Sequence, residues 1–224
     1  MCNALTYKPI DTNLIFIKMK KLIYFFGLAT LMTSCMTYTG IYKVGLQEVE
    51  SPKNVREQFG ETKVVNFQDQ GVTKYSYEDG LIKIIWLPGS TQFSFSLLNK
   101  SDHSIKIIWD EAVYVNENGS SQKIMHSGVK YIDRTSTQPP TTVVKDASIE
   151  DLVMPTDNVY FVSGQYGGWR EAPLFKNRAA TPEELNALKT TYVGKTVKIL
   201  LPLKIEDTTN EYLFTFKIED FVTK

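Results

Sequence analysis

The chain has 224 residues, of which 42% are hydrophobic and 12% aromatic, and its 25 basic residues balance its 25 acidic ones. So many apolar residues exclude an intrinsically disordered chain. The lack of a basic excess argues against nucleic-acid binding. With only two cysteines, Cys2 and Cys35, and two histidines, the sequence suggests no metal centre, thiol nucleophile or cofactor.

The segment 19–34 has the order of a bacterial secretory signal. Lys20 and Lys21 form a basic head, ten mostly apolar residues follow at 22–31, and small residues lead to Cys35. A membrane-spanning helix needs about 20 apolar residues, so the shorter run predicts a cleaved signal. An ordinary secretory signal that happens to contain a cysteine is the alternative to the interpretation that follows.

Residues 31–35, Leu-Met-Thr-Ser-Cys, resemble the lipobox of bacterial lipoproteins of the Bacteroidota type. The resemblance implies that Cys35 is lipidated, becomes the first mature residue and anchors the protein in the outer membrane. In these lipoproteins an acidic cluster after the cysteine directs surface display. Residues 36–40 contain no acidic residue, so we expect the domain to face the periplasm.

These features divide the chain into four predicted parts. Residues 1–18 are interpreted as an extension caused by a start codon assigned too early, the alternative being a genuine extension of the signal. Residues 19–34 are the signal peptide, 35–42 a lipidated tether and 43–224 a β domain. A domain of this length can be held by its hydrophobic core without disulfides.

The predicted elements of that domain are mostly short β-strands, the clearest being FSFSL at 93–97. Its apolar residues alternate with serines, which is the pattern of a half-buried strand. Asn118-Gly119 is the strongest hairpin signal, and Asp110-Glu111 interrupts a long strand with a bulge or a bend between sheets. Strands are expected at residues 42–50, 63–67, 72–77, 81–87, 92–98, 105–117, 122–125, 148–153, 159–162, 197–203 and 212–218.

One short helix is expected near the C-terminus. Thr181 is a good N-cap, Pro182 suits the first helical position, Glu184 completes a capping box and Gly194 ends the helix. Apolar residues that share one face of the last strand should be core: Tyr212, Phe214, Phe216 and Ile218. Trp86 and Trp109, on predicted strands, are also interpreted as core residues.

Many short strands, regularly spaced turns and one helix predict an antiparallel immunoglobulin-like β-sandwich. A second resemblance agrees with this fold. Phe95, Leu97, Asn99 and Ser101 match the F-x-L-x-N-x-S/T strand end found in immunoglobulin-like domains of bacterial lipoproteins of unassigned function. The match covers about a tenth of the chain and implies a fold, not an activity.

The candidate binding loop is GQYGGWR at 164–170. Its glycines permit unusual backbone conformations, Tyr166 and Trp169 combine apolar rings with polar atoms, and Arg170 offers paired donors. Such a loop suits stacking on a sugar or clamping a partner protein. The alternative is that Trp169 covers the open end of the sandwich as part of the core.

The polar residues suggest no catalytic site. His103 sits in a polar turn and His126 ends a strand, and neither has a partner at the spacing of a metal or Ser-His site. Asp110 and Glu111 are adjacent on a strand and so point to opposite faces.

The leading hypothesis is a lipid-anchored, non-enzymatic binding or assembly module of the cell envelope. Its expected partners are the membrane, through the lipid on Cys35, and an envelope protein or polysaccharide. The alternatives are an envelope enzyme such as a carboxylate-based glycosidase and a purely structural envelope lipoprotein. Acidic groups converging on one cleft would favour the enzyme, and an exposed aromatic surface around Trp169 would favour binding.

Overall fold

The structure is a computed structural model that describes residues 37–53 and 64–223. The chain divides into two units, residues 1–37 and 38–224. The predicted extension, signal peptide and lipidated Cys35 lie outside the described residues. Within the described ranges, no helix combines the length and the apolar character needed to cross a bilayer.

Antiparallel β-strands dominate the second unit, which confirms the predicted mainly β class. Helix α1 (Pro182–Tyr192) lies near the C-terminus, as expected. In the described ranges we number fifteen strands: β1 (Tyr38–Glu50), β2 (Val64–Asp69), β3 (Val72–Glu78), β4 (Ile82–Pro88), β5 (Phe93–Asn99), β6 (Ile105–Ile107), β7 (Val113–Val115), β8 (Ser121–Met125), β9 (Thr141–Val143), β10 (Ser148–Pro155), β11 (Val159–Val162), β12 (Gly168–Glu171), β13 (Arg178–Ala179), β14 (Thr196–Ile205) and β15 (Thr208–Thr223).

Thirteen of the described strands form one hydrogen-bonded sheet. Its main path runs β13-β1-β15-β14-β7-β8-β10-β5-β4-β3-β2, and β6 pairs with both β14 and β9. The two halves stay connected because β10 pairs first with β5 and then, at Met154 and Pro155, with β8. The structure therefore has one large curled sheet, a half-barrel, rather than the two distinct sheets of a clear immunoglobulin sandwich.

The curl brings distant strands of this sheet face to face across the core. The ring of Trp86 on β4 lies 5.1 Å from that of Phe214 and 5.5 Å from that of Phe216 on β15. Phe93 on β5 lies 4.7 Å from Phe216. Trp86, Trp109 and the predicted apolar face of the last strand are fully buried, which confirms their assignment to the core.

The start of the sheet differs from the prediction. β1 begins at Tyr38, where Tyr38 pairs with Ala179 and Gly40 pairs with Thr223. Most of the segment expected to be a tether is therefore strand. The sheet includes it because Tyr42 packs against an aromatic cluster formed by Phe175, Tyr192 and Phe221.

The long strand predicted at 105–117 is split into β6 and β7 by a 3-10 turn at Trp109–Glu111. This turn is the predicted bend at Asp110-Glu111. It forms because Trp109 turns into the core, where its indole N–H donates to Thr141 Oγ1 at 2.8 Å. The Asp110 carboxylate accepts from the backbone N–H of Gln138 at 3.1 Å.

The predicted capping of α1 is confirmed. Thr181 Oγ1 accepts from the backbone N–H of Glu184 at 3.2 Å, and the Glu184 carboxylate accepts in return from the N–H of Ala180 at 3.0 Å. Gly194 follows the helix with a positive φ of 92°, which glycine adopts without strain. The turn between β14 and β15 is tight, because β15 already begins at Thr208 and not at the expected residue 212.

The asparagine of the F-x-L-x-N-x-S motif holds two strands together. The buried Asn99 amide donates to the carbonyls of Val143 at 2.9 Å and His103 at 2.8 Å. Its oxygen accepts from the N–H and hydroxyl of Ser101 at 2.9 and 2.7 Å. The motif thus ties the end of β5 to the turn that follows it and to β9.

Candidate binding hairpin

The predicted loop at 164–170 belongs to a hairpin that stands apart from the main sheet. β11 and β12 pair with each other, and within the described ranges neither pairs with a strand of the large sheet. The register places Phe161 opposite Trp169 and Tyr160 opposite Arg170. Residues 168–170 of the predicted loop are therefore strand, and the connecting loop is 163–167. Gly164 and Gly168 have φ values of +112° and +133°, which favour glycine.

The hairpin exposes apolar side chains on both of its faces. Phe161 is 59% exposed and Tyr166, at the tip, is 85% exposed. Tyr160 and Val162 are also exposed, and they point away from Phe161 because successive strand residues alternate in direction. A hairpin with exposed apolar side chains on both faces is typical of an interaction site.

Trp169 is half-buried, between the two outcomes that the sequence left open. Its ring meets the edges of Phe161 at 5.5 Å and Tyr131 at 6.2 Å. The Arg134 guanidinium lies 4.9 Å from its centroid, within range of a cation–π interaction. Trp169 also packs on a small buried cluster made by Met125, Met154 and Val159. It therefore anchors the base of the hairpin while part of its surface stays accessible.

Arg170 shapes the loop instead of projecting freely from it. Its guanidinium donates to the carbonyls of Tyr166 at 3.0 Å and Trp169 at 3.1 Å. These bonds hold the tip of the hairpin near its second strand. Of the three predicted site residues, Tyr166 is thus the one whose side chain is fully presented to solvent.

The exposed residues of β11 were not predicted as part of the site. The sequence gives a signal for them, since Val-Tyr-Phe-Val at 159–162 has four apolar residues in a row where a half-buried strand alternates. A strand with consecutive apolar residues leaves some of them on its solvent side. In the structure these exposed residues are Tyr160, Phe161 and Val162.

A side-chain hydrogen bond connects β12 to an earlier part of the chain. The Tyr131 hydroxyl donates a hydrogen bond to the Glu171 carboxylate. This hydrogen bond, together with burial and the charge of Glu171, raises the pKa of Tyr131 above its ordinary value. Tyr131 belongs to a 3-10 turn, Tyr131–Asp133, that also presents the exposed Ile132.

The two histidines lie where the sequence predicts, one in a turn and one at a strand end. His126 stacks on Trp109 with ring centroids 4.2 Å apart, and its Nδ1 lies 3.3 Å from the Asp151 carboxylate. His103 faces Glu206 at 3.4 Å across a turn. Among the described residues, no three His, Cys, Asp or Glu side chains form a group that could hold a metal ion.

The chain was compared with protein-family models, curated proteins and solved structures. None of the three comparisons finds a match.

Proposed function

We propose that this chain is a non-enzymatic binding module of the bacterial cell envelope that recognises a partner protein with its aromatic hairpin. The observation that supports this function is the exposure of Phe161 and Tyr166 on a hairpin outside the main sheet. Large apolar groups left in water cost free energy that association recovers.

The chemistry of the exposed residues favours a protein over a polysaccharide. Phe161 and Val162 carry no polar side-chain atom with which to bind the hydroxyl groups of a sugar. Tyr and Trp are over-represented among the residues that contribute most to protein interfaces. An apolar surface flanked by the tyrosines at 160 and 166 resembles such an interface, so a protein is the proposed partner.

The hairpin is also held in shape before any partner arrives. Arg170 fixes the loop carbonyls, Tyr131 binds Glu171, and Arg134 covers part of the Trp169 ring. A preorganised site loses less conformational entropy on binding than a mobile loop does. The anchoring contacts of Trp169 therefore support recognition by its neighbours even though the ring itself is half-buried.

The double substitution Phe161→Ala and Tyr166→Ala should abolish capture of the partner from detergent-solubilised envelopes. Because both side chains are largely exposed, the free energy of unfolding should change by less than about 1 kcal/mol. Affinity purification followed by mass spectrometry measures the first effect, and urea unfolding the second.

Val144→Ala is the matched control, since Val144 is 57% exposed on the turn between β9 and β10. It should leave capture unchanged. Trp169→Ala should cost about 2 kcal/mol, roughly half the loss for a fully buried tryptophan. Capture that survives the double substitution would contradict the proposal, and so would a Trp169→Ala loss above about 3 kcal/mol, the value of a core residue.

The anchor is a separate part of the proposed function and rests on the lipobox resemblance. Replacing Cys35 with serine should move the protein from the membrane fraction to the soluble fraction. Each buried methylene of an acyl chain contributes about 0.8 kcal/mol, so two or three chains give stable anchoring. Mass spectrometry of the wild-type N-terminus should show an acylated cysteine. An unmodified N-terminus at residue 36 or later would contradict the lipid anchor. The domain is proposed to face the periplasm.

We also propose that the fold is related to immunoglobulin-like domains. The immunoglobulin-like relationship is supported by the face-to-face packing of the two halves of the sheet and by the role of Asn99.

The glycosidase alternative needs two carboxylates free to face one substrate bond. In the cleft lined by Glu150 and Asp151, both oxygens of Asp151 are engaged by neighbouring protein groups, which supports a binding module over that enzyme.

A further inference from the structure

The outer face of the sheet holds a cleft that the hairpin does not use. On β4 and β5, alternate residues point into the core, while Ile85, Leu87, Ser94 and Ser96 stay half-buried on the outer face. Together with part of β10 they line a cleft of about 410 Å³. This volume lies within the range of small-ligand sites.

The cleft owes its shape to short serines between longer side chains. Two cross-strand rows cross it, each with an aliphatic residue on β4, a serine on β5 and a longer residue on β10. The rows are Ile85–Ser96–Glu150 and Leu87–Ser94–Leu152. Since neighbouring strands lie about 4.8 Å apart, the flanking residues stand about 10 Å from each other across β5. We call this cleft the outer furrow.

Some charged side chains of the outer furrow have polar or charged partners and others do not. Lys74 lines it but is paired with Asp69 at 2.7 Å. Asp151 faces His126 at 3.3 Å, and its other oxygen accepts two backbone N–H groups. The exposed Glu150 has no hydrogen bond or ion pair with any residue in the ranges that the structure describes. One uncompensated carboxylate therefore lies beside aliphatic walls.

We propose that the outer furrow binds a small aliphatic amine in its ammonium form. The aliphatic body would lie against Ile85, Leu87 and Leu152. The ammonium group would donate to the Glu150 carboxylate and to the hydroxyl of Ser96, its neighbour in the same row. A charge-assisted hydrogen bond of this kind is stronger than a neutral one. The site is independent of the hairpin and of the partner proposed for it.

Three probes with similar aliphatic bodies and different heads test the proposal: n-hexylammonium, hexanol and hexanoate. Each is titrated into the purified ¹⁵N-labelled protein, and amide chemical shifts are followed. Hexylammonium should give saturable shifts at 94–96 and 150–152 with a Kd on the order of 1 mM, as expected for so small a ligand. Hexanol should bind about tenfold more weakly, and hexanoate should cause no saturable shift.

Two variants locate the binding. Glu150→Gln should weaken hexylammonium about tenfold, to the level of hexanol, because the charge is lost while the walls remain. Ser96→Leu should abolish the binding of both hexylammonium and hexanol by filling the furrow. Glu111→Gln, which removes an exposed carboxylate from the turn between β6 and β7, should change the binding of neither ligand. Glu150 is exposed, so its variant carries the test even if the leucine variant does not fold.

Three results would overturn the proposal. Hexanol or hexanoate binding as tightly as hexylammonium would show that the carboxylate selects nothing. Unchanged hexylammonium affinity in Glu150→Gln would place the ammonium elsewhere. Shifts confined to residues outside β4, β5 and β10, or none that saturate, would show that the furrow is not a ligand site.

Discussion

Replacing Phe216 with alanine is expected to lower the free energy of unfolding by about 3–5 kcal/mol. The ring is fully buried and touches Trp86 and Phe93, which belong to strands distant from β15 in the sheet. It therefore joins the two facing halves of the curl. Its removal leaves a cavity at the point where those halves meet, and rings from both sides cannot easily collapse into it.

Urea unfolding measures this loss, and Phe161→Ala is its control. Both variants remove the same atoms, but Phe161 is 59% exposed, so its loss should stay below about 1 kcal/mol. Equal losses in the two variants would mean that burial does not distinguish the rings. A Phe216→Ala loss below about 1 kcal/mol would contradict the facing halves of the sheet.

Asp79→Ala should cost a similar amount, about 3–5 kcal/mol. The buried Asp79 carboxylate accepts from the hydroxyls of Tyr77 at 3.0 Å and Tyr212 at 2.9 Å, and from the backbone N–H groups of Leu81 and Ile82 at 2.8 Å each. Its removal takes the acceptor from all four donors, where water does not readily replace it. Asp69→Ala is the control: that carboxylate pairs with Lys74 at the surface, and exposed pairs contribute at most about 1 kcal/mol.

The same network predicts how stability responds to alkaline pH. Burial raises the pKa of Tyr212, and the charge and hydrogen bond of Asp79 raise it further. In the unfolded chain a tyrosine titrates near about pH 10. Below that pH its contribution to stability is complete. Above it the unfolded state loses a proton that the folded state keeps, so stability falls by about 1.4 kcal/mol per pH unit for each such tyrosine.

Burial also raises the pKa of Tyr114, which adds to the same slope. Urea unfolding between about pH 9 and pH 11 measures it. A free energy of unfolding that does not fall over this interval would contradict the buried hydroxyls.

Elements specified by local pattern could be predicted from the sequence. The alternation in β5 and β15 and the cap at Thr181 depend on near neighbours, so the sequence shows them directly. The path of the sheet depends on contacts far apart in the chain. The pairing of Met125 with Met154, which joins the two halves, leaves no local signal and was therefore missed.

The candidate site also combines features that the local sequence predicts with features that depend on distant contacts. Glycines and aromatic residues mark the tip of the hairpin in the sequence. The half-burial of Trp169 depends on Tyr131 and Arg134, more than 30 residues earlier in the chain, so it could not be predicted locally. Asp79 lies between the strands expected at 72–77 and 81–87, and nothing nearby in sequence indicates the Tyr212 hydroxyl that it binds.

We propose that the aromatic hairpin contacts a partner protein in the cell envelope. A photo-reactive phenylalanine analogue, placed at Tyr166 or at Val144 and irradiated in living cells, tests this proposal. Both positions are exposed, and only position 166 lies on the hairpin. We expect a cross-linked product of one discrete mass from position 166 and none from position 144. No product from position 166, or the same products from both positions, would contradict the proposed contact.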